Sequence, residues 1–268
     1  MKPESFMSEA PGLFNDGQAY ERMMGRWSRL AGDIFLDWLD LPKGLRWLDV
    51  GCGNGAFTEV LIAHGAPSEV IGIDPSEGQL SYARNRPGVK SAQFRMADAQ
   101  ALPFPDNSFD AAIMALVITF VPDPAKAVGE MARAVRPGGC VATYMWDFPG
   151  GGLPVEPIHR AMRSLGLPEP ARPGVQASQQ DSMRALWGQA GLRSVETRVI
   201  RIPITYSGFD DFWESNSVPV GPAGQAINKL APAQREQLKS RLREQMPPDA
   251  DGRISFEAFA NAVKGRVS

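Results

Sequence analysis

The chain has 268 residues, 43% of them apolar and 22% charged. That composition excludes a disordered or collagen-like chain and is ample for a packed core. Twenty-eight Lys and Arg stand against 30 Asp and Glu, a net charge of −2, which argues against nucleic acid as the main partner because phosphate binding needs clustered cations.

The first fifteen or so residues read as a tail. From Gln18 to Leu39 the pattern is helical, with Leu30, Ile34 and Trp38 and also Ala31, Phe35 and Leu39 recurring every four residues. Pro42 and Gly44 close it. Strand candidates then alternate with helices. Arg46–Val50, Glu69–Asp74, Ser91–Met96, Phe109–Ala115 and Cys140–Trp146 read as strands, and Ala56–His64, Ser76–Asn85 and the segment from Asp123 to Val135 as helices. Ser76 has the chemistry of an N-cap, and Asp123-Pro124 the order of N-cap and first helical residue. Arg136-Pro137-Gly138-Gly139 reads as a stop and turn.

This rhythm predicts an α/β fold: a mostly parallel sheet with helices on both faces, whose ligands bind at the carboxyl ends of the strands. After Trp146 the rhythm breaks. Helices are expected near Pro157–Leu165, Ser182–Ala190 and Pro232–Gln245, and late strands at Ser194–Ile204 and Ile254–Val263. Residues 205–252 read as an insertion between the late strands, with too few apolar side chains for an independent core.

The chemistry concentrates at residues 48–55, Leu-Asp-Val-Gly-Cys-Gly-Asn-Gly. Gly51, Gly53 and Gly55 follow a strand and precede a helix, where missing Cβ atoms let the backbone approach a ligand. Asp74 ends the second strand, nineteen residues after Gly55, placed to accept ribose hydroxyls. These features leave open a nicotinamide or flavin dinucleotide and S-adenosylmethionine. The third strand favours the latter. It ends at Ala97-Asp98-Ala99, so that Asp98 could accept from an adenine amino group while the Ala99 N–H serves a ring nitrogen.

With these residues in view, the chain resembles the class I S-adenosylmethionine-dependent methyltransferases, in the group that includes the ubiquinone and menaquinone C-methyltransferases. The matching runs are LDVGCGNG (48–55), VIGIDPSEGQL (70–80), ADAQALPFPDNSFDAAI (97–113) and the turn RPGG (136–139). The resemblance implies a single Rossmann-like methyltransferase domain over 1–268. In it, 46–146 form the cofactor-binding half, a late strand runs antiparallel, and 1–45, 147–180 and 205–252 supply helical cover and substrate elements. It implies that Gly51, Gly53 and Gly55 line the methionine and ribose, that Asp49 organises the loop, that Asp74 holds the ribose hydroxyls, and that Pro75 and Ser76 also belong to the cofactor site. Asp98 and Ala99 would read the adenine, and the backbone at Ala115 and Leu116 would face the cofactor's ammonium. The family often sets an apolar side chain against the adenine where this chain has Gln79, so Leu80 or Pro75 is expected to supply that packing. Tyr20 and Arg26, with Trp27, belong to a segment expected to fold over the cofactor.

The rest of the reaction falls to less specific residues. His159 is the candidate proton acceptor, whereas His64, before Gly65, suits the negative end of a helix. Cys52 reads as a small filler beside the cofactor, and Asp106 and Asp110 as turn and strand-entry residues. Phe120, Trp146, Phe212 and Trp213 are candidates for an apolar acceptor pocket, though each better suits core or interface packing. Two cysteines and two histidines in all make neither a disulfide framework nor a zinc site, and no loop spaces carboxylates for a metal.

The N-terminus lacks a secretory apolar stretch, and the run Ala111–Val121 is short of the roughly 20 residues a bilayer needs. The expectation is a cytoplasmic enzyme, without membrane contact, that methylates a small, apolar or aromatic acceptor. Nothing in the sequence sets an oligomeric state. The competing readings are a non-catalytic cofactor-binding protein of the same fold and an NAD(P)-dependent oxidoreductase.

Overall fold

The computed structural model describes residues 26–169, 174–219 and 221–268. Tyr20 and the expected helix start at Gln18 lie outside these residues, as does the Arg26 side chain. Helix α1 spans Arg26–Leu39. The alternation then follows the sequence pattern: β1 Arg46–Val50, α2 Ala56–Gly65, β2 Glu69–Asp74, α3 Glu77–Arg84, β3 Ala92–Met96, β4 Phe109–Ala115, α4 Pro124–Ala134 and β5 Val135–Trp146. Beyond them lie α5 Glu156–Ser164, α6 Gln180–Gln189, β6 Arg193–Tyr206, α7 Phe209–Asn216, α8 Gly221–Lys229, α9 Pro232–Gln245 and β7 Ile254–Arg266.

The seven strands form one sheet in the order β3-β2-β1-β4-β5-β7-β6. Strands β1 to β5 pair in parallel, and β7 runs antiparallel to β5. The chain winds outward from β1 to β3, then returns to β4 on the other side of β1. The topological switch point therefore falls between the carboxyl ends of β1 and β4, where open sheets of this kind bind ligands.

Local chemistry fixes the elements. Ser76 caps α3, its side chain accepting from the Gln79 N–H at 3.4 Å. Asp123 caps α4, accepting from Lys126 N–H at 3.0 Å, with Pro124 at the first helical position. Such a cap contributes about 1 kcal/mol. The Arg-Pro-Gly-Gly segment is not a free turn before a strand. It lies inside β5, which pairs Val135 with Phe109 and, after an irregularity, Cys140 with Ala111. Gly138, at φ 79°, supplies the backbone conformation of that bulge.

The described residues divide into two compact units. The larger holds 28–150, 174–201 and 259–268. On one sheet face it buries Leu48, Val50, Ile71, Met114, Met131 and Trp187, and Trp187 Nε1 donates to the Val141 carbonyl at 2.9 Å. On the other face Phe35 and Phe57 pack on Tyr144, with ring centroids 4.7 and 5.9 Å away.

The smaller unit holds Trp27, 151–169, 202–219 and 221–258. Residues 205–252 contain two helices, α7 and α8, beyond the expected α9. They bury more than their apolar content suggests, because few but large rings do the packing. Phe212 meets Tyr206 edge-on at 5.2 Å and Phe256 at 6.4 Å, and Arg235 and Lys239 lie over Trp213. Among the described residues no helix is long and apolar enough to cross a membrane.

Candidate active site

The glycine loop leaves β1 with Gly51 at φ 75°, Gly53 at φ 52° and Gly55 at φ 77°, all in the left-handed region that side chains with a Cβ resist. At Gly51 space adds to conformation: a Cβ there would lie 2.6 Å from Val117 Cγ1. Gly51 therefore packs against the residue just past β4, at the switch point. At Gly53 a Cβ would meet nothing nearer than the Gln79 side chain, 4.0 Å away. That open face suits a ligand.

The loop is tied to β2 twice. Gly51 and Cys52 N–H donate to the Ile73 carbonyl at 2.8 and 2.9 Å. Gly53 N–H donates to Asp74 Oδ2 at 3.0 Å, while Ser76 N–H donates to Oδ1 at 2.8 Å. Each carboxylate oxygen thus has one backbone donor and keeps acceptor capacity for further hydroxyls.

Asp49 is fully buried. Its Oδ2 accepts the Thr58 hydroxyl at 2.6 Å, but its Oδ1 has no hydrogen-bond partner among the described residues. Burial, with a smaller contribution from the charge of Asp74, raises its pKa to about 7 against the opposing Thr58 bond. Burial also raises the Asp74 carboxyl despite its two backbone donors. The Cys52 thiol is driven well up by burial and by both carboxylates. It stays protonated and serves as filler: a Cβ on Gly72 would lie 2.9 Å from its sulfur. Burial and the charge of Asp74 thus both disfavour the ionised form of Asp49, and a cation bound beside it would favour that form.

At the third strand, Asp98 is exposed and its Oδ1 accepts the Gln100 N–H at 2.8 Å and the Gln100 side-chain amide at 3.2 Å. Ala99 follows it and is half-buried. Ala115 and Leu116 sit half-buried at the end of β4. Leu116 has φ 59° and donates its N–H to the Tyr144 carbonyl at 2.9 Å. Pro75 is exposed, but Leu80 is buried in the core. The expectation that Leu80 packs on adenine is corrected: its helix register turns it under α3, and Pro75 and Gln79 remain on the open side.

The larger unit thus brings together Asp49, Gly51, Gly53, Gly55, Asp74, Pro75, Ser76, Asp98, Ala99, Ala115 and Leu116 along one sheet edge. His159 belongs to the smaller unit. It lies on α5, 2% exposed, with Nδ1 3.9 Å from Glu169 Oε2. Arg163 bridges Glu156 and Glu169 beside it. His64 stands 3.4 Å from Asp37 at the end of α2. Asp106 and Asp110 are taken up by Arg133 and Arg136.

The sequence pattern alone does not point to Thr58, Val117 or Gln100. Thr58 carries the one signal, as the single hydroxyl in the run Ala56–Gly65.

Residues 48–143 match a methyltransferase domain family. The trans-aconitate 2-methyltransferase of Methylobacterium nodulans is 30% identical over 257 residues, spanning 89% of this chain and 93% of the relative. The chain belongs to this methyltransferase family. Its cofactor is S-adenosylmethionine, and it is a methyltransferase that uses it.

A demethylmenaquinone methyltransferase of Renibacterium salmoninarum is 33% identical over 165 residues, 60% of this chain and 66% of that one. Among solved structures, the methyltransferase shares its fold with YcgJ of Bacillus subtilis (TM-score 0.57, 22% identity, 88% of this chain and 97% of that chain). It also shares it with phosphoethanolamine N-methyltransferase 2 of Haemonchus contortus, solved with S-adenosyl-L-methionine (TM-score 0.61, 18% identity, 97% of this chain and 59% of that chain).

The residues present fit the cofactor. The unpartnered Asp49 Oδ1 would face the cationic end of that ligand, the Asp74 carboxylate keeps acceptor capacity for its hydroxyls, and the bare face of Gly53 would leave room for it.

Proposed function

We propose that this methyltransferase acts on a small molecule with an apolar or aromatic body, and that its cofactor lies along the carboxyl edge from β4 to β3. In this reading Asp74 and Ser76 hold the ribose, Asp98 and Ala99 the adenine, and Asp49, the glycine loop and the Ala115–Leu116 backbone the methionine end. The observation that carries it is the pairing of Gly53 N–H with Asp74 Oδ2 beside the unsatisfied Asp49 oxygen. Bound there, the cofactor supplies an electrophilic methyl group on sulfur.

The protein's work is to hold the acceptor in line and keep water out, and such positioning can lower a barrier by about 7–11 kcal/mol. Acceptor choice is assigned to the cover elements in 1–45, 147–180 and 205–252, within a single domain over 1–268. His159 serves as proton acceptor where the acceptor must lose a proton. Phe212 and Trp213 drop out of the acceptor surface, since both are used in packing. Phe120, 40% exposed just past the end of β4, stays in it.

A second reading rests on the nearly full-length relative named for trans-aconitate: an acceptor bearing a carboxylate. Incubating the protein with methyl-labelled S-adenosylmethionine and fractionated metabolite extracts tests both. Label in an apolar or aromatic product supports the first reading, label in an organic acid the second, and binding without transfer to any fraction removes both.

A further inference from the structure

Among the described residues, one buried polar atom at the end of β5 and one in the first turn of α1 have no partner. The Trp146 side chain is 3% exposed, and its Nε1–H, a donor, meets no acceptor. The Ser28 hydroxyl is buried and also unsatisfied. Leaving such a group dry and unbonded is costly, so native interiors hold few.

The fold sends both to the same corner of the larger unit. Strand β5 turns Val141 and Met145 into the core that contains Trp187. Ala142, Tyr144 and Trp146 therefore face the other way, toward α1. Along that face α1 runs against β5. Trp38 meets Lys264, the antiparallel partner of Ala142, with Nζ 3.0 Å from the Trp38 carbonyl. Phe35 packs on Tyr144, and a Cβ on Gly32 would lie 3.4 Å from the Tyr144 hydroxyl. One helical turn before Gly32 stands Ser28, and two residues beyond Tyr144 stands Trp146. Trp146 ends β5 at the carboxyl edge, and the course of α1 past Tyr144 carries Ser28 toward it. The cofactor elements lie at the β1 to β3 side, with Leu116 tied to Tyr144 between them.

We propose that Trp146 Nε1 and Ser28 Oγ form an acceptor-recognition pair that binds an oxygen atom of the small-molecule acceptor, the indole donating and the hydroxyl donating or accepting. The inference rests on the methyltransferase reading and deepens it: the acceptor carries a carboxylate, carbonyl or ring oxygen beside its apolar body. Trp146 is then a specificity residue and not mere wall.

The test is calorimetric titration of the full chain saturated with S-adenosylhomocysteine. One arm uses trans-aconitate, a carboxylate probe, and the other 1,4-naphthohydroquinone, a ring-oxygen probe. We expect one arm to bind and to name the oxygen class. Trp146→Phe and Ser28→Ala should each weaken that arm about five- to tenfold, the loss of one hydrogen bond, and leave affinity for S-adenosylmethionine within about twofold. Ser28→Ala, which deletes an unsatisfied hydroxyl from a helix, keeps the test valid if Trp146→Phe fails to fold. The proposal is overturned if wild type binds neither probe, if the folded variants bind as tightly as wild type, or if they lose S-adenosylmethionine instead. Failure of wild type to bind S-adenosylmethionine would instead remove the methyltransferase reading itself.

Discussion

The backbone N–H of Gly53 donates to Asp74 Oδ2 at 3.0 Å. One bond sets two things at once: the course of the glycine loop and the orientation of the carboxylate at the end of β2. Ser76 N–H holds the other oxygen, so the carboxylate is fixed before any ligand arrives. Hydrogen bonds to a charged group contribute about 1.5–3 kcal/mol each, or roughly ten- to hundredfold in affinity. Asp74→Ala should therefore weaken S-adenosylmethionine binding by about a hundredfold in calorimetric titration. Asp74→Asn, which keeps one acceptor oxygen, should fall between. Equal affinity in all three proteins would remove Asp74 from the site.

Gly51 is constrained twice. Its φ is 75°, and a Cβ at this position would come within 2.6 Å of Val117 Cγ1. The left-handed conformation costs a residue with a Cβ about 1–2 kcal/mol, and overpacking adds about 1–3 kcal/mol. Gly51→Ala should lower the urea midpoint accordingly. Adding Val117→Ala should recover the steric part but not the conformational part. Full recovery would mean that φ is not a constraint at Gly51.

Asp49 makes the stability of the cofactor-free protein fall as pH rises. Its pKa is about 7 in the folded chain against 3.8 unfolded, so the folded state holds the proton more tightly. The contribution is full below pH 3.8 and lost as pH climbs through about 7. At about 1.4 kcal/mol per pH unit the loss is on the order of 4 kcal/mol. Asp49→Asn should be more stable than wild type in urea at pH 8, with the advantage shrinking toward pH 5, while binding S-adenosylmethionine more weakly. Parallel pH profiles for the two proteins would contradict this.

His159→Gln should leave cofactor affinity unchanged. With a proton-bearing acceptor it should cut kcat by about a hundredfold, the lower range for a lost general base. Normal turnover at every pH would end its role as proton acceptor.

The alternation of strands and helices from Arg46 to Trp146, the glycine loop, Asp74 and both helix caps were all legible in the sequence. Each is local: a glycine's φ, a capping side chain or a run of apolar residues acts within a few positions. The class of cofactor followed from the family resemblance that these motifs carry.

What needed the tertiary structure depends on residues far apart in the chain. The clash that makes Gly51 necessary comes from Val117, and the bond to Asp49 from Thr58. Leu80 was excluded from the adenine side only when its helix was packed. The rings of 205–252 became a core only once β6 and β7 brought Tyr206 and Phe256 together. Likewise, no periodicity marks Ser28 and Trp146 as unsatisfied. Hydrogen-bond satisfaction is a property of neighbours in space, and the chain order that determines the strands does not contain it.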